Sequence, residues 1–293
     1  MKHNHIFAAL AGSIAVCTAL TGCASAAPDV NAEQTAAAAA TITLNGGSAS
    51  VQGKGAAVQG TVITISDAGT YRITGTLDDG QIVIDAGKDD AVTLVLDNAN
   101  ISCSNSAGIY AKQAGTTTLL LQDGTQNSVS DAAQYAYPDG GDEPDAAIFA
   151  KDDLTIAGSG TLTVTGSFNN AIGSKDNLLI ESGTLIVTAA NDGLRGRDSV
   201  TITDGNFTID AQGDGIKSNN DEDAEKGWIT LSGGVYQITA GNDGIQAETD
   251  MTITGGTYTI VTGGGSANAP ARKTQDFGGG RPGAGMAGGF YAG

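Results

Sequence analysis

One aliphatic position recurs along this chain at an interval of about 22 residues. It is occupied in turn by Ile148, Ile172, Leu194, Ile216 and Ile245. Two further apolar columns keep the same period, and in each of them apolar residues alternate with polar ones, as in a β-strand. Three short strands in so short a repeat, with no helical pattern between them, predict an all-β fold. We expect a right-handed parallel β-helix with three short strands per coil.

The other two columns indicate which side chains face the core. One contains Leu154/Ile156, Leu178/Ile180, Val200/Ile202, Ile229/Leu231 and Met251/Ile253, and the other contains Leu162/Val164, Leu185/Val187, Phe207/Ile209, Tyr236/Ile238 and Tyr258/Ile260. Alternate residues of a strand point to opposite faces. The aromatic members Phe207, Tyr236 and Tyr258 are therefore expected in the core.

The segments outside the repeat predict an exported, anchored protein. Residues 1–22 combine Lys2 with an apolar run too short to cross a membrane, and they end in the string LTGC, which is typical of a lipoprotein signal peptide. Cys23 would then carry the lipid and hold the chain at the outer face of the cell membrane. An ordinary secretory signal, cleaved near the string ASA, is the alternative. We predict a tether at 23–40, the β-helix at 41–262 and a Gly-rich disordered tail at 263–293.

The charge of the chain limits its partners. The formal net charge is −18, from 14 basic and 32 acidic residues. Nucleic acids and anionic lipids require basic patches, so this balance argues against both as direct partners. Cations, neutral sugars and cation-bridged acidic polymers remain. Both His residues lie in the predicted signal peptide, which excludes a nucleophile–His pair from the mature chain, whereas carboxylate pairs for glycoside hydrolysis stay open.

Acidic residues stand at equivalent places of successive repeats. Asn170, Asp192, Asp214 and Asp243 precede the aliphatic column, and a second row, which includes Asp176 and Asp198, follows it. Carboxylates one coil apart repel each other, and a Ca²⁺ ion between two coils would lie within its usual distance of both. The sequence therefore predicts calcium along these rows. Asp and Asn also favour turns, so simple turn formation is the alternative.

Two insertions interrupt the period and carry aromatic residues. The longer, at 131–146, contains Tyr135 and Tyr137, and the shorter, at 219–227, precedes Trp228. Insertions in a solenoid leave the stack as loops, often on the binding face. We expect both to emerge along one edge and to enclose a sugar-binding groove beside Arg195 and Lys217. Trp228 has a second interpretation, as a cap on the neighbouring loop.

Long strings of the sequence resemble a known group. KDDLTIAGSGTLTVTG, NDGLRGRDSVTI and GDGIKSNNDEDAEKGWITLSGGVYQITAGNDGIQAETDMTITGGTY are similar to the carbohydrate-binding β-helix proteins of cellulolytic clostridia. The resemblance implies a parallel β-helix shaped like polysaccharide lyases, bound calcium, and binding of cellulose-like or acidic polysaccharide without established catalysis. The matching strings carry Asp192, Asp198, Asp214, Asn219 and Asp243, which adds Asn219 to the candidate metal ligands.

Three functions follow from these observations. The first is a calcium-stabilised cell-surface lipoprotein that binds plant-type or acidic polysaccharide without cleaving it. The second is a calcium-dependent lyase of the pectate-lyase kind, in which Arg195 or Arg197 acts as the base beside a metal held by Asp192 and Asp214. The third is a structural spacer or adhesin with a protein partner. Binding to polysaccharide separates the first two from the third.

Overall fold

Parallel strands dominate the structure. The computed structural model describes residues 38–137 and 140–263, and within them the chain forms strands and no helix. The strands lie mostly parallel in two long sheets, an arrangement consistent with a β-helix-like solenoid. None of the residues described forms a helix long and apolar enough to cross a membrane. The predicted signal peptide with Cys23, nearly all of the tether, and the tail after residue 263 lie outside the described residues.

The strands follow one another with short connections. The first twelve are β1 (Ala40–Gly46), β2 (Ala49–Gly53), β3 (Ala56–Gln59), β4 (Val62–Ile65), β5 (Gly69–Leu77), β6 (Gln81–Asp85), β7 (Ala91–Ser102), β8 (Ile109–Gln113), β9 (Thr116–Leu121), β10 (Gln126–Ser130), β11 (Ala146–Ala150) and β12 (Asp153–Gly158). The others are β13 (Thr161–Gly166), β14 (Asn170–Ser174), β15 (Asn177–Ile180), β16 (Thr184–Ala189), β17 (Leu194–Gly196), β18 (Ser199–Ile202), β19 (Asn206–Ala211), β20 (Ile216–Ser218), β21 (Trp228–Leu231), β22 (Val235–Ala240), β23 (Ile245–Ala247), β24 (Met251–Ile253) and β25 (Thr257–Thr262).

In the repeats, sheet B collects every third strand and sheet A collects the other two. Sheet A is 16-stranded, and its main path runs β24-β21-β18-β15-β12-β9-β7-β10-β13-β16-β19-β22-β25. Sheet B is nine-stranded and runs β23-β20-β17-β14-β11-β8-β6-β4-β3. Most buried apolar side chains of both sheets join in one hydrophobic cluster, and Val95, Leu120 and Ala157 of sheet A form a small separate one. The outer face of sheet B is the face turned away from the larger cluster.

The register confirms all three apolar columns. Ile148 pairs with Ile172, Ile172 with Leu194, Leu194 with Ile216, and Ile216 with Ile245. The other two columns pair in the same way along the two halves of sheet A. A residue that fills the core in one repeat therefore lies beside the residue that fills it in the next, except in the last described repeat, where Met251, Ile253 and Ile260 are exposed.

Three aromatic rings stack inside the core at this spacing. The ring centroids of Phe207 and Tyr236 are 4.7 Å apart with planes 9° from parallel, and those of Tyr236 and Tyr258 are 4.6 Å apart with planes 6° from parallel. Tyr236 is 1% exposed, and its hydroxyl donates a hydrogen bond of 2.8 Å to the carbonyl of Gly233. The core position expected for these rings is confirmed for Phe207 and Tyr236, whereas Tyr258, in the last described repeat, is partly buried against the core.

The N-terminal part departs from three short strands per coil. β1 pairs antiparallel with β2, and β3 pairs antiparallel with β4. β7 has 12 residues and pairs with β9 through its first half and with β10 through its last three residues. Asn98, at φ 53°, bends the strand between those halves. β7 alone therefore pairs with both halves of sheet A, which two separate strands supply in each later repeat.

Candidate functional site

Equivalent side chains form two rows on the outer face of sheet B. The outer row runs in register through Tyr110, Phe149, Gly173, Arg195, Lys217 and Gln246. One residue further along these strands, the small inward residues Ala111, Ala150, Ser174 and Gly196 stack on one another. The residue after each of these turns outward again, which creates a basic row of Lys112, Lys151, Lys175 and Arg197.

Three hollows lie in line along this face. An aromatic cleft of about 630 Å³ covers β6 and β8, a polar hollow of about 220 Å³ lies over β14, and an acidic hollow of about 510 Å³ lies over β20 and β23. The aromatic cleft and the polar hollow share one lining residue, Glu143. Together the three hollows make a track that crosses the strands and follows the direction in which the repeats stack.

The aromatic cleft is bounded by the long insertion. Tyr110 and Lys112 of β8 form one wall, and Tyr137 and Pro144 of the insertion form the other. The hydroxyl of Tyr137 donates to the carbonyl of Pro144 at 2.8 Å, which fixes the ring in the loop. Burial, together with the negative charge of Glu143, raises the pKa of Tyr110, so its hydroxyl stays a hydrogen-bond donor. Two half-buried tyrosine rings facing one cleft suit the C–H faces of a sugar.

Tyr135 has a structural position. Its ring stacks on Phe168 with centroids 4.3 Å apart, and its hydroxyl donates to Oδ2 of Asp131 at 2.6 Å. Asp131 also accepts the backbone N–H of Ser167 at 2.5 Å. These contacts tie the start of the insertion to the next repeat. Of the two tyrosines predicted to contact sugar, the structure brings Tyr137 to the cleft and fixes Tyr135 beneath the loop.

The first acidic row forms a side-chain ladder. Oδ1 of Asn170 accepts the backbone N–H of Asp192 at 3.2 Å, Oδ1 of Asp192 accepts that of Asp214 at 2.9 Å, and Oδ1 of Asp214 accepts that of Asp243 at 2.9 Å. Asn170, Asp192 and Asp214 are buried. Each side chain therefore accepts a backbone N–H of the next repeat rather than of its own turn, and the row is aligned as the sequence predicts.

The ammonium group of Lys217 lies where the row was expected to hold a cation. Its Nζ is 2.6 Å from Oδ2 of Asp214 and 3.4 Å from Oδ2 of Asp192. Burial lowers the pKa of Lys217, but the hydrogen bond to Asp214 and the charges of both carboxylates outweigh burial and raise it. A lysine side chain therefore supplies the positive charge between these two repeats.

The second acidic row is less uniform. Oδ2 of Asp198 lies 2.7 Å from Nζ of Lys226, and its Oδ1 accepts from Nδ2 of Asn220 at 2.5 Å. Burial opposes ionisation of Asp198, but these two bonds lower its pKa overall. Burial and the charges of Asp198, Asp153 and Asp152 instead raise the pKa of Asp176.

Several candidate metal ligands are engaged with other side chains. Across residues 38–137 and 140–263, no group of three or more His, Cys, Asp or Glu side chains is placed to hold a metal ion. Lys217 occupies the space between two of the candidates, and the side-chain carbonyl of Asn219 accepts Nε of Arg195 at 3.1 Å. Asp214, Asn219 and Asp243 do line the same acidic hollow.

The two insertions do not emerge along one edge as expected, although Asp145 of the long insertion and Asn219 of the short one both contact Arg195. The long insertion precedes β11 and the short one follows β20, so they flank sheet B on opposite sides. They are also three rungs apart, a distance of about 14 Å at the usual strand spacing. Trp228 begins β21 in sheet A, on the outward side as its parity predicts, and is half-buried. The structure therefore does not bring Trp228 together with Tyr137.

Each of the two arginines on this face is paired with a carboxylate of an insertion. Nη1 of Arg195 lies 3.0 Å from Oδ2 of Asp145, and Nη2 of Arg197 lies 2.5 Å from Oε2 of Glu222. The hydrogen bond to Glu222 raises the pKa of Arg197, so this group holds its proton more firmly than a free guanidinium. Neither arrangement favours a role as a general base.

The basic row is the feature that sequence reasoning missed. Lys151, Lys175 and Arg197 each stand directly before a residue of the second acidic row, in the strings KDD, KDN and RDS. The same repeat that aligned the aspartates aligns these cations. The sequence therefore contained the pattern of the basic row, one position before the aspartates of the second acidic row.

An elongated face with an aromatic cleft at one end and aligned charges along it suits an extended polymeric ligand. Comparison with known proteins agrees with this class. The chain belongs to the family of carbohydrate-binding domain-containing proteins, whose model matches residues 59–284.

One relative by sequence and one solved structure are similar to this chain. A carbohydrate-binding domain-containing protein of Acetivibrio thermocellus is 39% identical over 183 residues, which is 61% of this chain, and the chain spans 64% of that relative's length. A solved structure, described as the polysaccharide lyase-like protein from C. thermocellum in a gadolinium derivative, is similar with a TM-score of 0.69 and 36% identity. That match covers 77% of this chain and 94% of the other.

Proposed function

We propose that the chain binds a polysaccharide along the outer face of sheet B and does not cleave it. The observation that carries the proposal is the line of three hollows across successive strands, which a polymer lying along the stack would follow. Family membership supports carbohydrate as the ligand class. The engagement of Arg195 and Arg197 with carboxylates supports binding over lyase chemistry.

The proposal includes the closed form of the fold. We infer that sheets A and B close into a right-handed parallel β-helix, because parallel crossovers are almost always right-handed and both sheets share one core. The lyase-like structural neighbour supports this form. The outer face of sheet B would then be one side of a stiff rod.

The first test compares aromatic residues on two faces. Replacing Tyr110 and Tyr137 with Ala should weaken binding to plant polysaccharides in affinity electrophoresis by about tenfold, since stacking and burial of two rings are lost. The control is Trp228→Ala, which removes a half-buried outward aromatic from sheet A. If Trp228→Ala abolishes binding and the tyrosine variant binds like the wild type, the binding face is not that of sheet B. Release of unsaturated products from polygalacturonate with calcium would instead establish a lyase.

Calcium is proposed for the acidic hollow. Asp214, Asn219 and Asp243 line it together with Asp221, Glu248 and Lys217, so a Ca²⁺ ion would take the place of the Lys217 ammonium group on Asp214 to gain the oxygen ligands that it prefers. The gadolinium derivative of the structural neighbour supports testing it, because that ion also prefers oxygen ligands. We expect a chelator to lower the melting temperature and to weaken binding of acidic polysaccharide. Coincident melting curves with and without chelator would leave the rows as turn-forming residues.

Export and lipid attachment complete the proposal. The apolar run followed by LTGC supports lipidation of Cys23 and a position at the cell surface. Cys23→Ser should move the mature chain from the membrane fraction to the soluble fraction of an expressing cell. Retention of the variant in the membrane fraction would refute the anchor.

A further inference from the structure

The C-terminal end of the strand stack exposes side chains that face the core. The last described repeat consists of β23, β24 and β25. Three of its inward side chains are 40–49% exposed, namely Met251, Ile253 and Ile260. The residues with which they pair in the preceding repeat are at most 2% exposed. The hydrophobic core is therefore open at this end of the stack.

The backbone is open at the same end. β23, β24 and β25 each pair with a strand of the preceding repeat, and with no other strand of the described part of the chain. Their outer N–H and C=O groups form an edge with which another extended segment can pair. An unprotected edge beside apolar side chains is a site of association between molecules.

The opposite end of the stack is covered by the chain itself. β2 and β3 do not follow the repeat, and each pairs antiparallel with a neighbouring strand. Four of their apolar side chains are partly buried against the core cluster, namely Ala49, Val51, Ala56 and Val58. Stacked repeats require a cover at each end to remain soluble. We therefore expect a second non-repeating segment at the C-terminal end.

The segment that follows β25 has a suitable length. The family model matches up to residue 284, which is 21 residues past Gly263, the last described residue. An extended chain of 21 residues reaches about 70 Å, whereas a strand of the length of β25 spans only about 20 Å. Residues 264–284 do not have the alternating apolar pattern of a repeat. They therefore suit a cover rather than a further coil.

Charge favours this segment over a second copy of the chain as the cover. Residues 241–263 contain three acidic residues and no basic one, so two copies that met at this end would repel each other. Residues 264–284 contain three basic residues and one acidic one, which are Arg272, Lys273, Arg281 and Asp276. They also contain Phe277, a large apolar side chain of the kind that the open core lacks.

We propose that residues 264–284 fold back over the C-terminal end and cover its three exposed core side chains. Phe277 packs on the open core, the backbone of the segment pairs with the strand edge, and Arg272 and Lys273 lie beside the acidic residues of the last repeat. The cover excludes water from the core and prevents another molecule from pairing with the edge. For residues 264–284 it takes the place of the disorder expected from their composition, and it does not depend on which glycan the chain binds.

Limited proteolysis with chymotrypsin tests the cover, because Phe277 is a cleavage site that a docked segment protects. Cleavage after Phe277, followed by mass spectrometry, should be about tenfold slower in the full chain than in a synthetic peptide of residues 264–284. Arg272→Gln with Lys273→Gln should raise the rate in the full chain about threefold relative to a peptide with the same changes. Lys54→Gln with Lys88→Gln is the matched control, since it removes two positive charges from exposed positions elsewhere.

Truncation provides a second measurement. A chain that stops after Gly263 should melt about 5 °C lower than the full chain, because three apolar side chains lose their cover. It should also associate, in light scattering, at concentrations at which the full chain is monomeric. The control is a chain that stops after Ala284, which keeps the cover and should behave like the full chain. The point variants decide the question if the shorter chain does not fold.

The outcomes separate the cover from its alternatives. Protection of Phe277 that falls in the Arg272 and Lys273 variant, but not in the control, supports the cover. Cleavage of the full chain as fast as of the peptide refutes it, as does a chain ending at Gly263 that keeps the melting temperature and the monomeric state. A dimeric full chain with freely cleaved Phe277 would show that a second copy occupies this end, and it also refutes the cover. Polysaccharide binding is measured separately, so failure of the cover leaves the proposed function intact.

Discussion

Lys217→Met should destabilise the fold more than any other single change of a basic residue on this face. The variant keeps most of the aliphatic stem but removes the charge between Asp192 and Asp214, whose side chains are 4% and 6% exposed. Loss of one partner from a buried ion pair costs about 3–5 kcal/mol. Lys217 is 24% exposed, so water moderates the effect, and we expect the lower end.

An independent estimate leads to the same magnitude. Two carboxylates one rung apart, about 4.8 Å, repel each other by about 3 kcal/mol at the effective dielectric of a protein surface. A loss of about 3 kcal/mol lowers the melting temperature of a domain of this size by about 6–12 °C. Thermal unfolding followed by circular dichroism measures this shift at pH 7.

Two further variants make the result decisive. Lys88→Met removes an ion pair whose partners are 80% and 82% exposed, and it should change the melting temperature by about 2 °C or less. Adding Asp214→Asn to Lys217→Met should restore much of the lost stability, because Asn keeps the acceptor for the N–H of Asp243 without the charge. The electrostatic reasoning is refuted if Lys217→Met and Lys88→Met have the same melting temperature, or if the double variant is no more stable than Lys217→Met. Calcium that raises the melting temperature of Lys217→Met and not of the wild type would show that the row can hold a metal once the lysine is gone.

Two other predictions concern the core and the long insertion. Tyr236→Ala should lower the free energy of unfolding by about 3–5 kcal/mol, because it empties a buried position between two stacked rings. Tyr236→Phe, which loses only the hydrogen bond to Gly233, should lower it by about 1 kcal/mol. Chemical denaturation measures both losses, and equal losses would contradict the packing argument. The pKa of Glu143 is lower in the folded chain than in the unfolded one, so its stabilising contribution is present above a pH of about 4.3 and is lost as the pH falls through the folded value. The difference in stability between wild type and Glu143→Gln should therefore shrink below that pH in acid unfolding curves, and a difference that stays constant down to acid would contradict this assignment.

The fold was predictable where the sequence repeats. Side chains such as Ile172 and Leu194 alternate with a period of two and recur with the repeat, and both periods follow from strand geometry. The path of β7 was not predicted: its inward residues are Val92, Leu94 and Leu96 before Asn98 and Ala99 and Ile101 after it, and this change of parity does not by itself indicate that the chain continues as one long strand. Periodicity indicates which residues face inward, whereas a bend within a strand depends on packing against its neighbours.

The site was predictable in position and much less so in its contacts. The row of Asn170, Asp192 and Asp214 lies where the repeat places it. The sequence could not indicate that Lys217 reaches back to this row, since a flexible side chain can point along the stack in either direction. The flank on which each insertion emerges depends on whether it precedes or follows its sheet B strand, and that order separates Trp228 from Tyr137.

The register of the basic row also determines how such a face can lengthen during evolution. Ser174 and Gly196 are in register on neighbouring strands of sheet B, so the segment between Lys175 and Arg197 is one complete repeat. Duplication of this segment in frame would insert one more rung, with its own core residues and one more cation at the end of its sheet B strand, and would leave the rungs on either side paired as before. The number of charges offered to a polymer would then grow one unit at a time. Binding strength could be adjusted by gene duplication without any redesign of the individual contact.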